Sequence, residues 1–294
     1  MTLTTASFDF VADLVRRRSA IQLDQGKEYL VESRLAPLAR RAGLGVDEYV
    51  RAVRAGRSEH DLDLVVEALT TNETSWFRDG APFVALRQHL VPTLMEGPIP
   101  ASGLRVWSAA CSTGQEPYSI AMTLADVLPA SVRVEILATD LSEQVLARAR
   151  AGRYSQLEMD RGLPTAMRAR HFRADGAEWC ISDELRAAVR YQRHNLLDAP
   201  PAGPPFDLVF LRNVLIYFDL TTKQQILSRV HRVLRPGGFL VLGAAETTIG
   251  VDDGWARLAL GSGSVYRPVA RTAPRTSDVP LVPSPFTAKP GGLR

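Results

Sequence analysis

The feature that most constrains this chain begins near residue 100. From there, short apolar runs of strand type alternate with stretches of helical periodicity, the pattern of a doubly wound α/β sheet covered by helices on both faces. The predicted strands are "LRVWSA" (104–109), "VRVEILAT" (132–139), "VRYQRH" (189–194), "FDLVFL" (206–211) and "FLVLGA" (239–244). Between the last two, Asp219 is a suitable N-cap. Ile226, Leu227, Val230, Val233 and Leu234 then recur at helical spacing until "RPGG" stops the helix. "ARLALGSGSVYRPV" adds two strands around a Gly-Ser turn, expected to pair as an antiparallel hairpin. Such a sheet binds its ligand outside the carboxyl ends of the strands, so polar residues at strand ends mark where chemistry belongs.

Three strand ends are polar. The first strand runs into "SAACSTGQEPYS" (108–119) and a helix expected to open at Pro117. A dinucleotide site would carry three glycines here. Only Gly114 remains, and Glu116 stands at the helix mouth. A pyrophosphate needs a helix N-terminus free of negative charge, so Glu116 argues against a diphosphate ligand. A ligand with adenosine, no phosphate and cationic groups suits the loop better, and S-adenosylmethionine, with its sulfonium and ammonium, is one. Taken alone, the loop is also compatible with an ordinary tight strand–helix connection. The second strand end is "LATD", whose Asp140 can accept both hydroxyl protons of a ribose diol. The third is "FLRNVLIYF", where Arg212 and Asn213 break an apolar run.

Residues 1–70 have a different pattern, helical throughout, and are expected to form a small all-helical domain. Within "GKEYLVESRLAPLARRAGL", Val31, Leu35 and Leu38 share one face and Lys27, Arg34 and Arg41 another, while Pro37 should kink or interrupt the helix. Residues 71–268 are the expected α/β domain, with 71–100 as linker and first helix. A small antiparallel β-subdomain is expected over 153–195, signalled by Asp175-Gly176 in "HFRADGAEWCIS". From Pro268 on there are six prolines and only Phe286 as an aromatic, so 269–294 is predicted to be a disordered tail.

Composition excludes several classes. At 46% apolar and 23% charged the chain has an ordinary globular balance, and no apolar run approaches the roughly 20 residues that span a bilayer. The N-terminus lacks the order of a signal peptide, so a cytoplasmic protein without membrane insertion is expected. Cys111 and Cys180 are far apart and form neither a disulfide framework nor a zinc motif. The five histidines (60, 89, 171, 194 and 231) show no metal or triad spacing, so no metal is expected and no histidine is given a role. The net charge of +3 arises entirely in the tail, where Arg271, Arg275, Lys289 and Arg294 face only Asp278. That is a weak footprint for nucleic acid, and none is expected as a partner.

Five segments, "TNETSWFRD", "SAACSTGQEPYSIAM", "LATDLS", "HNLLD" and "FLRNVLIYF", occur in this order. Together they resemble the CheR family, the chemotaxis receptor glutamate methyltransferases, over roughly residues 8–268. The resemblance implies a Rossmann-like class I methyltransferase sheet with a small antiparallel β-subdomain, preceded by an all-helical domain. It implies S-adenosylmethionine as cofactor and S-adenosylhomocysteine as product. Asn72, Thr74 and Arg78 would close over the cofactor from the linker, Glu116 and Asp140 would hold its polar groups, and Asn195 and Leu196 would flank the adenine. Arg212 and Asn213 would complete the pocket, with Tyr217 near the transferring methyl, so that Arg78 and Tyr217 are the candidate catalytic residues. The implied substrates are glutamates on the cytoplasmic helices of methyl-accepting chemotaxis receptors, met by a monomer through Lys27, Arg34, Arg40 and Arg41. The bland readings are that Thr71 and Asn72 cap a following helix, Asn195 ends a strand in a turn, and Tyr217 is a core aromatic. A non-catalytic cofactor- or receptor-binding adaptor, and a methyltransferase of the same fold with another acceptor, are the alternative functions.

Overall fold

The computed structural model describes residues 3–56, 58–97, 103–260 and 263–269, apart from the side chains of 263 and 264. The expected tail from 270 onward lies outside the described residues. Four helices open the chain: α1 (Thr5–Ser19), α2 (Glu28–Arg41), α3 (Val46–Gly56) and α4 (Glu59–Leu69). Each puts apolar residues at helical spacing against the others. Phe8, Val11 and Val15 meet Val31 and Leu35, Val50 and Val53, and Val65, Val66 and Leu69, in a core of their own. Thr4 caps α1 by accepting from the Ser7 N–H, and Ala20 ends it in the left-handed conformation (φ 56°).

Contrary to the expected interruption, α2 runs through Pro37 as one helix. Pro37 and Ser33, one turn before it, are both exposed. The Ser33 carbonyl, deprived of its helical donor, is therefore at the solvent face, where the loss is smallest. In the linker, "TNETSW" starts no helix. Residues 71–75 are irregular, and regular structure resumes only at α5 (Ala81–Ala85), a π-helical turn (Leu86–Leu90) and α6 (Val91–Met95).

Among the described residues the main sheet has seven strands in the order β6-β2-β1-β7-β8-β10-β9. They are β1 (Leu104–Ala109), β2 (Val134–Asp140), β6 (Val189–Arg193), β7 (Phe206–Leu211), β8 (Leu234–Leu242), β9 (Trp255–Leu260) and β10 (Gly263–Pro268). The first five in the sheet order are parallel, and β10 runs antiparallel to both β8 and β9. Alternate residues of the central strands feed two cores. Val106, Leu208 and Phe210 pack with α7 (Gln115–Val127), whereas Trp107, Val209 and Leu211 pack with α12 (Leu220–Val233). As expected, Asp219 caps α12 by accepting from the Thr222 N–H. Helix α7 opens at Gln115, two residues before the expected Pro117, because Gly114 turns the chain at φ 96°.

Between β2 and β6 lie α8 (Glu143–Ala151), β3 (Arg153–Ser155), α9 (Gln156–Met159), α10 (Thr165–His171), β4 (Phe172–Asp175), β5 (Glu178–Ile181) and α11 (Asp183–Ala187). Strands β3, β5 and β4 form the expected small antiparallel sheet, in that order. Its boundary differs from 153–195, since Val189–Arg193 pair with β2 in the main sheet. The hairpin turn is also one residue along: Asp175 pairs with Glu178, leaving Gly176 (φ 63°) and Ala177 as the two loop residues. Trp76 ties the linker to this sheet, with its ring edge-on to Tyr154 and Phe172 and its backbone N–H donating to the Arg161 carbonyl.

After β2 the chain works outward on one side of β1. After β6 it returns to the other side as β7. The β1/β7 boundary is thus the point where strand order reverses, and the crevice at its carboxyl end is where this architecture places a ligand.

Candidate functional site

A cleft of about 890 Å³, measured to its open mouth, lies at that reversal. Its walls come from the ends of β1 (Ala110, Cys111, Ser112), β2 (Asp140, Leu141), β6 (His194, Asn195, Leu196) and β7 (Arg212, Asn213, Val214, Tyr217, Phe218). The linker adds Thr70 to Thr74 and Arg78, and the end of the helical domain adds Ser19 and Ile21. All ten residues nominated for cofactor or catalysis line it: Asn72, Thr74, Arg78, Glu116, Asp140, Asn195, Leu196, Arg212, Asn213 and Tyr217.

The loop after β1 explains its scarcity of glycine. Ala110 (φ 61°) and Ser112 (φ 50°) adopt the left-handed conformation without being glycine, as does Asn213 (φ 57°) after β7. Each costs of order 1 kcal/mol or more and persists only where surroundings enforce it, a condition that clusters at binding sites. The surroundings are visible here. The Ser112 N–H donates to Asp140 Oδ2 at 2.8 Å, and the Cys111 N–H donates to the Thr139 carbonyl at 2.9 Å. At Gly114, where φ is 96°, a side chain would be strained: a Cβ there would stand 3.0 Å from the Ala149 Cβ and from the hydroxyls of Tyr154 and Tyr191.

The site is acidic at its floor. Asp140 is buried and accepts from the N–H groups of Ser112 and Ser142, the latter at 3.1 Å to Oδ1. Burial pushes its carboxyl up, against the pull of those N–H groups. Each oxygen retains a further lone pair, enough to accept a diol. Glu116 is largely buried, with its side chain 12% exposed. Burial raises its carboxyl while the Arg212 guanidinium opposes the rise. Ser108 Oγ donates to its Oε1 at 2.8 Å, and Arg212 donates to Oε2 at 3.0 Å. A buried carboxylate at Asp140, held by backbone N–H groups, and a largely buried one at Glu116, paired with Arg212, leave the floor of the cleft suited to a cationic ligand.

Arg212 serves as a clasp as well as a counter-ion. Its second nitrogen donates to the Arg78 carbonyl (2.7 Å) and to Asp79 Oδ2 (2.8 Å), joining the linker to the sheet. Arg78 is half-buried, and its guanidinium donates to the Glu73 carbonyl. The Asn72 carbonyl accepts from Ser112 Oγ (2.7 Å), and Asn195 Nδ2 donates to the Arg18 carbonyl (2.6 Å). Tyr217 ends a single 3₁₀ turn (Leu215–Tyr217) and is partly exposed at the cleft.

None of the nominated docking cations is among the residues lining this cleft, and they differ among themselves. Arg40 and Arg41 are exposed. Lys27 pairs with Asp24 at 2.8 Å. Arg34 is partly buried and donates to the Thr70 carbonyl at 2.9 Å, so it belongs to the junction between helical domain and linker.

Some positions at or beside the cleft escape a reading of the sequence. Ser19, Ile21 and Thr70 reach the cleft only through tertiary packing, and nothing local marks them. His194 has no metal spacing, yet it lines the cleft, edge-on to Trp107. Glu246 follows an apolar strand run, a strand-end signal as clear as "LATD". Among the described residues no cluster of His, Cys, Asp or Glu could hold a metal ion, and no helix is long and apolar enough to cross a membrane.

A doubly wound sheet closed by an antiparallel strand pair, with largely buried carboxylates in place of a glycine-rich phosphate loop, is the fold of a class I methyltransferase. The chain belongs to the CheR methyltransferase family: its all-alpha domain matches residues 6–70 and its SAM binding domain matches residues 72–259. It is 40% identical to "Chemotaxis protein methyltransferase 1" of Pseudomonas aeruginosa over 91% of this chain and 99% of that protein. It is 38% identical to "Chemotaxis protein methyltransferase Cher2" of Pseudomonas putida, over 90% of this chain and 99% of that protein. The chemotaxis protein methyltransferase of Escherichia coli is 36% identical over 84% of this chain and 86% of its own length.

Proposed function

We propose that this protein transfers a methyl group from S-adenosylmethionine to glutamate side-chain carboxylates of methyl-accepting chemotaxis receptors, giving glutamate methyl esters. The observation that carries this reading is the pair of carboxylates, buried Asp140 and largely buried Glu116, at the strand-order reversal of a SAM binding domain. When bound, the cofactor supplies a methyl on a cationic sulfur, which passes to a carboxylate oxygen as the carbon–sulfur bond breaks, leaving S-adenosylhomocysteine and no proton to move. A glutamate side chain with a reference pKa near 4.3 is already the nucleophile at neutral pH, so no general base is required.

The chain's own task is therefore to hold and orient. Asp140 would accept the ribose hydroxyls, and Glu116 would face the cationic end. Asn195 and Leu196 would border the adenine. Asn72 and Thr74, carried on the linker, would cover the cofactor. Arg78 and Tyr217, which both line the cleft, would orient the acceptor carboxylate and exclude water from it. Such positioning can supply several kcal/mol of barrier lowering. On the substrate side, exposed Arg40 and Arg41 would meet acidic receptor helices.

Incubation with methyl-labelled S-adenosylmethionine and receptor cytoplasmic fragments should place label on the receptor as base-labile esters. Base-stable label would identify a different acceptor, and cofactor binding without any label would identify an adaptor. Reversing Arg40 and Arg41 to glutamate should slow receptor methylation by roughly two- to fivefold, more at low salt. A salt-independent rate in both proteins would exclude those cations from docking.

A further inference from the structure

Glu246 lies behind the cleft rather than in its wall, yet it shapes the turn that forms that wall. It follows β8, is 5% exposed, and its carboxylate takes four backbone N–H groups. Oε1 accepts from Val214 at 2.9 Å and Leu215 at 2.7 Å. Oε2 accepts from Asn213 at 2.8 Å and Gly243 at 2.7 Å. A buried anion is costly unless its lone pairs are met, and here each oxygen meets two donors.

The partners are not scattered. Three are consecutive residues between Arg212 and Tyr217, beginning at Asn213 in the left-handed conformation. The carboxylate therefore pins the turn at its strained end and leads directly into the short 3₁₀ turn that carries Tyr217. Gly243 completes the device. A Cβ at that position would stand 2.7 Å from Glu246 Oε2 and 2.8 Å from Asn213 Nδ2, so the end of β8 must stay bare for the carboxylate to enter. Asn213, Val214 and Tyr217 all line the cleft, whereas Glu246 does not.

We infer that Glu246 is a positioning residue for methyl transfer, holding the Asn213–Tyr217 turn so that the Tyr217 ring stands against the acceptor. This inference rests on the methyl-transfer reading above. A glutamine at this position loses two of the four bonds whichever way its amide is placed, because its NH₂ then faces two N–H donors. Glu246→Gln should lower the methylation kcat by about a hundredfold, the scale of a roughly 1 Å misplacement. If the loss acts through Tyr217, it should shrink sharply when Glu246→Gln is made in a Tyr217→Phe background.

A fluorotyrosine-labelled protein adds a readout that needs no turnover. The Tyr217 ¹⁹F resonance, identified by its absence from Tyr217→Phe, should shift or broaden in Glu246→Gln, while those of buried Tyr118 and Tyr154 stay in place. Should the glutamine variant fail to fold, Glu246→Asp keeps the charge but withdraws the oxygens by one methylene, and the same displacement of the Tyr217 signal is expected. A kcat within about twofold of wild type, a loss of equal size in both backgrounds, or an unmoved Tyr217 resonance in a folded variant would overturn the inference. Failure of the methyl-transfer reading would show separately, as an inactive wild-type protein whose Tyr217 signal still responds to Glu246.

Discussion

The two walls of the cleft are built differently. The sheet-side wall is made of strand ends fixed by the ladder, with largely buried carboxylates and left-handed residues that the surrounding backbone enforces at Ala110, Ser112 and Asn213. The opposite wall comes from the helical domain, which has its own core, and from the linker, whose Trp76 and Phe83 pack into the core of the sheet, and polar bonds also cross between the walls: Ser112 Oγ to the Asn72 carbonyl, Asn195 Nδ2 to the Arg18 carbonyl, and Arg212 to the Arg78 carbonyl. The sheet side thus sets the charge and shape a ligand must match, while the helical side sets how completely it is enclosed. Damage to the first wall should reach both stability and binding. Damage to the second should reach binding with little change in the sheet.

Arg212 offers the largest test, since it belongs to both walls. Its side chain is 1% exposed and pairs with Glu116 and Asp79. Removing one partner of a buried pair leaves the other charge uncompensated, so Arg212→Ala should cost about 3–5 kcal/mol in urea unfolding. The pH dependence has a defined sign. Burial lifts the folded-state carboxyl of Glu116 above its unfolded value, so stability from this group is present at low pH and lost as pH rises through the lifted value. Without Arg212 the lift is greater. The variant's deficit should be widest at neutral pH and narrow toward the ordinary carboxylate range. A deficit that ignores pH would mean that Glu116 is not the charge Arg212 answers.

Asp140 tests the sheet wall alone. It accepts two backbone N–H groups, so deleting its side chain would confuse ligand loss with loss of the loop. Asp140→Asn keeps one acceptor and removes the charge. Cofactor affinity by calorimetry should fall roughly 10- to 100-fold, as one to two charge-assisted hydrogen bonds weaken, with a smaller drop in melting temperature. Unchanged affinity would remove the ribose assignment.

The same contrast explains what was legible in the sequence. Strand ends are local objects: "SAACSTGQE", "LATD" and "FLRN" announce themselves as polar breaks after apolar runs, and a parallel sheet brings such breaks together. Glu246 carries the same signal after "FLVLGAA" but meets backbone rather than the cleft, so its role emerges only from the fold. Ser19, Ile21 and Thr70 could not be read, since only domain packing brings them to the ligand side. Arg34 misleads for a related reason. Its place on a helical face is legible, but the carbonyl at the end of α4 that lies across from it is not. Pro37 fails as a breaker because its cost falls on an exposed face. Gly176 displaces the hairpin by one residue because positive φ, rather than the Asp-Gly pair, sets the turn.

The smallest expected effect isolates the helical wall. Asn195 Nδ2 donates to the Arg18 carbonyl at 2.6 Å, while its own Oδ1 accepts from the Leu197 N–H at 3.0 Å within the loop after β6. The Arg18 carbonyl lies near the end of α1, next to Ser19 and Ile21 of the cleft, so the first bond reaches from sheet to helical domain. Asn195→Ala should weaken cofactor binding by about fivefold, the worth of roughly 1 kcal/mol for one hydrogen bond. Asn195→Asp separates the two bonds, because a carboxylate still accepts from Leu197 but cannot donate to Arg18. Equal losses in both variants, with melting temperatures close to wild type, would place the effect on the link between the walls. A loss confined to the alanine variant would place it in the β6 loop, and the helical wall would then hold without that tie.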